Sequence, residues 1–313
     1  MKKIINLAVF LDGTWNTVES DTNVKKMKQN VLVETNYNFE KESQEYYTLA
    51  HYEEGPGTTA GMNIAGGAFA VDLRTAIGNA YEWLSKHYIN YVVDDDIFPR
   101  IYIFGFSRGG YSAHVLSWLL SEIGIPKNFS ICKEIAYDYI AKKKCVFSKK
   151  DFYPVTIQML GVWDIVSAPV DIIADFHDKE KAPCVKKIFH AMAAEEKRTL
   201  FPVMKYNAHS DIKQIWFSGV HSDIGGGYSD DTRLSDWCWF WMETQARSMD
   251  LAFKEHHEDL THYDFSGIII HDESPTGEPC RIFENEPLHS SLHARLSTSY
   301  SPQLLNFENP ETC

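Results

Sequence analysis

A serine in a glycine-flanked turn is the residue of this sequence best placed to do chemistry. Ser107 is the centre of residues 105–109, which read Gly-Phe-Ser-Arg-Gly. The apolar run 101–106 before it predicts a strand, and the apolar stripe over 115–123 predicts a helix. Strand, Gly-x-Ser-x-Gly and helix form a nucleophile elbow, in which a Cβ at either glycine would collide with a neighbouring element. The pattern therefore predicts a serine nucleophile whose Oγ is exposed at the top of a sheet.

A serine nucleophile needs a general base and an acid that orients the base, and the sequence offers both. Asp164 follows a buried-strand pattern that ends at residue 163. His221 follows the apolar strand 215–220 and precedes a glycine-rich loop. Groups just past the carboxyl ends of parallel strands lie in the crevice where such sheets bind ligands. The order serine, aspartate, histidine is that of α/β-hydrolases, so we predict that Ser107, Asp164 and His221 form a catalytic triad.

Each partner of the serine has an alternative. Asp164 could be a turn or helix-capping residue, and Asp223, two residues after the proposed base, is a rival acid. The chain has 13 histidines, and His289 is a rival base because most α/β-hydrolases place this residue late in the chain. His221 is preferred because it directly follows a strongly apolar strand and its loop is rich in glycine.

The N-terminal segment could stabilise the negative oxygen of a reaction intermediate. An apolar strand over residues 4–11 ends at Asp12-Gly13-Thr14. In α/β-hydrolases a loop after an early strand supplies one oxyanion-hole N–H, and the residue after the nucleophile supplies the other. These donors would be Gly13 or Thr14, and Arg108. The Asp-x-Asp-Gly-Thr motif of phosphatases is excluded, because Phe10 stands where the nucleophilic aspartate would be.

Several motifs occur together in a fixed order along the chain. They are FLDGTWN, HYEEGPGT with the later GGAF, GFSRGGYSA, GVWDIV, FHAMAAEEKRTLF and HSDIGGGYSD. With these motifs, residues 4–250 resemble the α/β-hydrolase family of the bacterial type VI secretion lipase (phospholipase) effectors. The sequence departs from the family at Pro56, where a small apolar residue is expected, and at Gly110, where alanine is usual. It also has little room for the added membrane-targeting region that effector members often carry.

The resemblance implies a serine esterase that acts on membrane glycerophospholipids and needs no cofactor. The serine, aspartate and histidine of the family fall on Ser107, Asp164 and His221. The implied partners are a phospholipid substrate, an immunity protein and a component of the secretion machine, and the implied destination is the periplasm of a target cell. Two other functions remain open: a carboxylesterase acting on soluble esters, and a catalytically silent hydrolase-like binding module.

Alternating strand and helix patterns predict an α/β fold of α/β-hydrolase type. We expect a mostly parallel central sheet with helices on both faces and inserted loops, in a single domain over residues 1–313. Insertions are expected near residues 125–150 and 170–210, and the chain is expected to be less regular from about residue 250. The segment FHAMAAEEKRTLF (189–201) is expected to be helical.

The composition limits the partners and the compartment. A formal net charge of −13 argues against binding to nucleic acid and against attraction to an anionic membrane. No apolar run is long enough for a transmembrane helix. The short apolar run 4–11 leads directly into Asp-Gly-Thr and is not a signal peptide, so we expect synthesis in the cytoplasm. The six cysteines lack Cys-x-x-Cys spacing, which argues against structural zinc.

Two further patterns imitate binding sites. Residues 55–60, Gly-Pro-Gly-Thr-Thr-Ala, match a dinucleotide-binding pattern, but a proline lies inside the loop and no convincing first βαβ unit is present. Asp223, Asp230, Asp231 and Asp236 lack the spacing of a calcium-binding loop. We therefore expect neither a dinucleotide cofactor nor a bound metal.

Overall fold

Strands and helices alternate along the chain in a computed structural model of the protein. The structure describes residues 3–32, 45–57, 67–94, 96–141, 149–167, 177, 179–255, 267–272 and 287–289. The strands are β1 (Lys3–Leu11), β2 (Glu45–Glu53), β3 (Ile97–Phe106), β4 (Ile125–Pro126), β5 (Phe152–Tyr153), β6 (Ile157–Trp163), β7 (Val185–Ala193) and β8 (Ile212–Phe217). The α-helices are α1 (Asn23–Asn30), α2 (Gly67–Val92), α3 (Ser107–Glu122), α4 (Cys132–Ile140), α5 (His221–Gly225) and α6 (Arg233–Ser248).

The central sheet is parallel throughout its described strands. Its order is β2-β1-β3-β6-β7-β8, so the chain first moves outward from β1 to β2 and then continues on the other side of β1. The direction of winding changes between β1 and β3. In open α/β sheets the ligand crevice lies at such a switch point, beyond the carboxyl ends of the strands. Gly13 lies in the loop after β1, and Ser107 directly follows β3 as the first residue of α3, so the topology brings these two residues to one crevice.

Two apolar layers pack against the two faces of the sheet. Alternate residues of a strand point to opposite faces. Leu7 and Val9 of β1 join the layer that includes α2, α3 and α4, whereas Ala8 and Phe10 join the layer that includes α1 and α6. Helices therefore cover both faces of a parallel sheet, and the predicted α/β-hydrolase-like fold class is confirmed.

The helix predicted over residues 189–201 is wrong. Its first residues belong to β7, which pairs with β6 and β8 and is buried from Ile188 to Ala193. A strand covered on both faces is a continuous apolar run, and periodicity cannot distinguish such a run from a buried helix. β7 also lies within the 170–210 segment that the sequence predicts to be an insertion, so part of that segment belongs to the central sheet.

The strand and the helix predicted around the serine are present as β3 and α3. Residues 125–153 hold the antiparallel pair β4-β5 and the helix α4, outside the central sheet. Most of the chain after residue 255 lies outside the described residues, so the division into a single domain stays a prediction. Among the helices that the structure describes, none combines the length and the apolar character needed to cross a membrane.

We expect Gly109→Ala to destabilise the protein although alanine is the better helix former. A Cβ at Gly109 would lie 2.2 Å from the carbonyl oxygen of Asp12 and 2.3 Å from that of Leu11. Relieving this overlap should cost about 1–3 kcal/mol in the free energy of unfolding. The neighbouring Gly110→Ala is the matched control. Its Cβ would lie 3.1 Å from a side-chain atom of Ile165, and a small shift of that side chain can relieve the contact.

Denaturant unfolding of the two variants measures this difference. Gly110→Ala should change the free energy of unfolding by less than about 1 kcal/mol, because the gain in helix propensity offsets the mild contact. Equal stability of Gly109→Ala and Gly110→Ala would contradict the close approach of α3 to β1.

Candidate active site

The turn between β3 and α3 places Ser107 in a strained backbone conformation. Its φ is +57°, in the left-handed region that residues other than glycine rarely adopt. Such strain persists where the surroundings hold it, and it is common at functional sites. Both glycines of the motif lie in close contacts, since a Cβ at Gly105 would be 2.6 Å from the oxygen of Gly109, which itself lies against β1. The predicted reason for the two glycines is confirmed.

Ser107 as a whole residue is almost fully covered. It is 3% exposed, and the exposure predicted for its Oγ stays a prediction. The loop after β1 covers it closely: a Cβ added to Gly13 would lie 3.1 Å from Cβ of Ser107 and 2.9 Å from the ring of Phe106. An ester that reaches this serine must therefore pass between the surrounding loops.

Asp164 and His221 are joined by a short hydrogen bond at the carboxyl ends of β6 and β8. His221 Nδ1 lies 2.7 Å from Asp164 Oδ2, and both side chains are buried. The second carboxylate oxygen, Oδ1, accepts a hydrogen bond from the Ala193 N–H at 2.9 Å. A carboxylate that accepts from Nδ1–H fixes the imidazole tautomer and leaves Nε2 available as a base. The two residues that the sequence proposes as acid and base are thus in contact, and their catalytic roles stay a prediction.

Two aromatic rings hold the imidazole of His221 beside the turn of the serine. The ring of Phe106, the residue before Ser107, lies 4.6 Å from the His221 ring, and Phe201 contacts it edge-on at 4.9 Å. Helix α5 approaches the same ring closely, because a Cβ at Gly225 would be 2.0 Å from Phe106. Gly225 thus allows the segment that begins at His221 to pack against the end of β3, the strand that precedes Ser107.

The two rival residues occupy other places. Asp223 accepts from the Val220 N–H at 2.9 Å and contacts His271 Nδ1 at 2.6 Å. Burial raises the pKa of Asp223, while the hydrogen bond and charge of His271 lower it in part. His289 is stacked on Phe217 at 4.2 Å, and burial lowers its pKa to about 3. Asp164 therefore pairs with His221, and Asp223 instead ties residues 267–272 to the loop of the histidine.

The predicted oxyanion donors differ in their availability. The Gly13 N–H donates to its neighbour's carboxylate, Asp12 Oδ1, at 2.7 Å. Within the described residues the Thr14 N–H has no hydrogen-bond acceptor, and Arg108 lies in the first turn of α3. Arg108 Nη1 also donates to Thr14 Oγ1 at 3.3 Å. The side chains of Thr14 and Arg108 are thus in contact, and their role as oxyanion donors stays a prediction.

A buried carboxylate that sequence reasoning did not assign holds the loop after β1. Asp12 accepts hydrogen bonds from Thr22 Oγ1 at 2.5 Å and from the Tyr52 hydroxyl at 2.7 Å, in addition to the Gly13 amide. Burial raises its pKa to about 6, although these hydrogen bonds lower it in part. The three donors come from three segments of the chain, so Asp12 fixes the position of the loop that carries Thr14.

A second group of unassigned residues holds the histidine from behind. Glu196, directly after β7, accepts from the His221 N–H at 3.1 Å and pairs with Arg198 at 2.8 Å. The guanidinium of Arg198 lies 3.8 Å from the ring centre of Phe201, which contacts His221. Burial raises the pKa of Glu196, but hydrogen bonds and charge of Arg198 outweigh it, so this pKa lies below its ordinary value. The motif AAEEKRTLF was the sequence signal for this group.

The patterns that imitate other sites have structural roles. A Cβ at Gly55 would lie 1.5 Å from the carbonyl oxygen of Gly13, so the first glycine of the dinucleotide-like pattern allows the loops after β1 and β2 to touch. Residues 58–60 of that pattern lie outside the described residues. Of the four aspartates, Asp231 pairs with Arg233 and Asp236 with Lys26.

Comparison with known proteins matches most of the chain to one family. Residues 5–245 match the sequence model described as the catalytic domain of Tle1-like phospholipase effectors of the type VI secretion system. An uncharacterized protein of Saccharomyces cerevisiae is 26% identical over 175 residues, which are 50% of this chain and 24% of the yeast protein.

Solved structures with a similar arrangement have low sequence identity. An uncharacterized protein from Pseudomonas aeruginosa has a TM-score of 0.49 at 17% identity and covers 81% of this chain and 47% of its own. The Tle1 effector bound to the VgrG spike has a TM-score of 0.45 at 16% identity, with coverages of 73% and 52%. Esterase 2 of Thermogutta terrifontis, phosphonylated by sarin, has a TM-score of 0.38 at 10% identity, with coverages of 81% and 86%. The chain thus spans about half the length of the first two.

Asp164→Asn should abolish most ester hydrolysis and leave the fold intact. An asparagine keeps the shape but holds the imidazole in the wrong tautomer, which should lower turnover by up to about 10⁴-fold. Asp223→Asn is the matched control, because Asp223 contacts His271 instead of His221, and it should lower turnover less than about tenfold. Turnover of a soluble chromogenic ester measures both. A mild Asp164→Asn together with a severe Asp223→Asn would mean that Asp223 is the acid.

The raised pKa of Asp12 should make stability decrease as the pH rises through 6. The folded pKa of about 6 exceeds the ordinary 3.8, so the folded state binds the proton more tightly between these values. The ionisation of Asp12 therefore leaves the free energy of unfolding unchanged below pH 3.8 and lowers it by about 3 kcal/mol above pH 6. Unfolding of the wild type and of Asp12→Asn at pH 4 and pH 7 measures the difference. Carboxyl NMR titration of Asp12 checks it directly, and a midpoint below pH 4 would contradict it.

Proposed function

The chain belongs to the Tle1-like catalytic-domain family of type VI secretion phospholipase effectors, and from this premise we propose that it is a serine esterase that hydrolyses glycerophospholipids. The observation that carries the proposal is the hydrogen bond of 2.7 Å between Asp164 and His221, beside the strained turn of Ser107. A buried aspartate–histidine pair next to a serine on a nucleophile elbow is the arrangement that activates a serine for acyl transfer.

The first half of the reaction transfers the acyl group to the serine. Ser107 Oγ attacks the ester carbonyl carbon while its proton passes to His221 Nε2. The imidazolium is stabilised by the Asp164 carboxylate. When the tetrahedral intermediate collapses, the bond from the carbonyl carbon to the alcohol oxygen breaks. The leaving alcohol, a lysophospholipid, takes the proton from His221, and the acyl group stays on Ser107.

The second half returns the serine. His221 removes a proton from water, and the resulting hydroxide attacks the acyl carbon. The bond to Ser107 Oγ then breaks, and the serine oxygen recovers its proton from His221 as the fatty acid leaves. In both halves the negative oxygen of the intermediate would accept from the amides of Thr14 and Arg108, which can stabilise it in a site shielded from water. Gly13 would act through the close approach of its backbone to Ser107 rather than as a donor.

We extend the proposal to the partners and the place of action on the strength of the family description. The chain would be synthesised in the cytoplasm and delivered to the periplasm of a target cell by a type VI secretion system. Its partner in the secretion machine would be of the kind represented by the VgrG spike, to which the Tle1 effector is bound. An immunity protein would protect the producing cell.

Ser107→Ala should remove phospholipid hydrolysis. Mass spectrometry of phosphatidylethanolamine vesicles should show a fatty acid and a lysophospholipid with the wild type, and at least about a 10³-fold lower rate with the variant. Ser112→Ala is the matched control, since Ser112 is another buried serine of α3. Wild-type-like hydrolysis by a folded Ser107→Ala protein would overturn the nucleophile. Hydrolysis of short soluble esters without any lipid product would identify a carboxylesterase instead.

The same pair of proteins tests the place of action. Targeted to the periplasm of a sensitive bacterium, the wild type should reduce growth, while Ser107→Ala should not. Growth inhibition by both proteins, or by neither when the enzyme is present and active, would contradict a periplasmic lipase effector.

A further inference from the structure

Two exposed apolar side chains belong to residues that neighbour two contacts of Arg108, the residue that follows the serine. Trp15, next to Thr14, is 54% exposed, and Leu200, next to Phe201, is 76% exposed. Arg108 connects their neighbours, because its Nη1 donates to Thr14 Oγ1 at 3.3 Å and its guanidinium lies 5.7 Å from the ring centre of Phe201. Trp15 and Leu200, together called the apolar rim, thus lie in two loops that Arg108 contacts through the neighbouring residues.

The backbone of Trp15 and its contact with Gly57 fix the position of this residue. Its φ is +66°, a value that bulky side chains rarely adopt and that glycine or asparagine usually supplies. The Trp15 N–H donates to the Pro56 carbonyl at 3.0 Å. The indole lies over Gly57, where a Cβ would be 2.8 Å from its Nε1. Hydrogen bonding and close packing thus fix a large apolar side chain in a partly exposed position beside the site.

The buried position of Ser107 adds a requirement on the substrate. The serine is 3% exposed, so a lipid ester has to leave the plane of a bilayer to reach it. A protein whose crevice faces the bilayer directly shortens that path. An apolar rim around the crevice can achieve this contact, because tryptophan and leucine gain free energy when they leave water for the boundary between headgroups and acyl chains.

We propose that the apolar rim inserts into a zwitterionic phospholipid bilayer and holds the crevice of Ser107 against it. This proposal rests on the proposed phospholipase function. The net charge of −13 opposes attraction to an anionic surface, and the loop of Trp15 carries Glu19 and contacts Glu54. Contact with the bilayer therefore depends on apolar insertion rather than on charge.

Vesicle binding by the full chain tests the proposal apart from catalysis. The variants Trp15→Asn, Leu200→Asn and their combination are made in the Ser107→Ala protein, so that no lipid is consumed. Asparagine tolerates a positive φ, which keeps the backbone at residue 15 unstrained. Val93→Asn is the control: Val93 is 69% exposed but lies between α2 and β3, at the opposite edge of the sheet from Ser107. Sedimentation with phosphatidylcholine vesicles measures the dissociation constant.

Each rim substitution should weaken binding on the order of tenfold, and the combination more, while Val93→Asn should leave it unchanged. With Ser107 restored, the double variant should lose vesicle hydrolysis but keep kcat/KM for a monomeric soluble ester within about twofold. Unchanged vesicle binding by the double variant would overturn the proposal, as would an equal loss on the soluble ester or tighter binding to anionic vesicles. Rim-dependent binding by a protein that hydrolyses no lipid would support the rim and refute the phospholipase.

Discussion

The first turn of α3 lies directly against the carboxyl end of β1, and the groups of the site depend on this contact. Gly109 touches the carbonyl groups of Leu11 and Asp12, at distances that no Cβ could occupy. Because α3 begins there, the turn of Ser107 lies beside the loop that carries Thr14. The same contact places Arg108, the next residue of α3, where its side chain reaches Thr14, so the close approach at Gly109 positions both the proposed nucleophile and the two proposed oxyanion residues.

The histidine comes from the other half of the sheet and is held by different forces. Asp164 follows β6, His221 follows β8, and Glu196 follows β7 between them. The buried negative charge of Glu196 is offset by Arg198, whose guanidinium also covers Phe201. Buried carboxylates are costly unless they are paired or hydrogen-bonded. The network therefore makes the position of the imidazole depend on a loop whose only sequence signal is the run AAEEKRTLF.

The sequence was sufficient for residues whose roles depend on local geometry and insufficient for those set by tertiary contacts. The strand, the glycines and the helix around Ser107 are local, and the spacing predicted them. Asp164 and His221 were found because the sequence pattern places each just past an apolar strand; in the structure Asp164 directly follows β6, and three residues separate β8 from His221. β7 was predicted as a helix because its apolar, alanine-rich run has no alternation when both faces are covered. The hydrogen bonds of Asp12 with Thr22 and Tyr52, the burial of Ser107 and the hydrogen bond from the His221 N–H to Glu196 arise from packing between distant segments.

A structure of the chain after reaction with a fluorophosphonate tests the account most directly. We expect phosphorus bonded to Ser107 Oγ, with a phosphoryl oxygen about 2.7–3.1 Å from the amide nitrogens of Thr14 and Arg108. The Nε2 of His221 should face the same oxygen of Ser107. A label on another residue, His289 in the place of His221, or a phosphoryl oxygen turned away from both amides would contradict it.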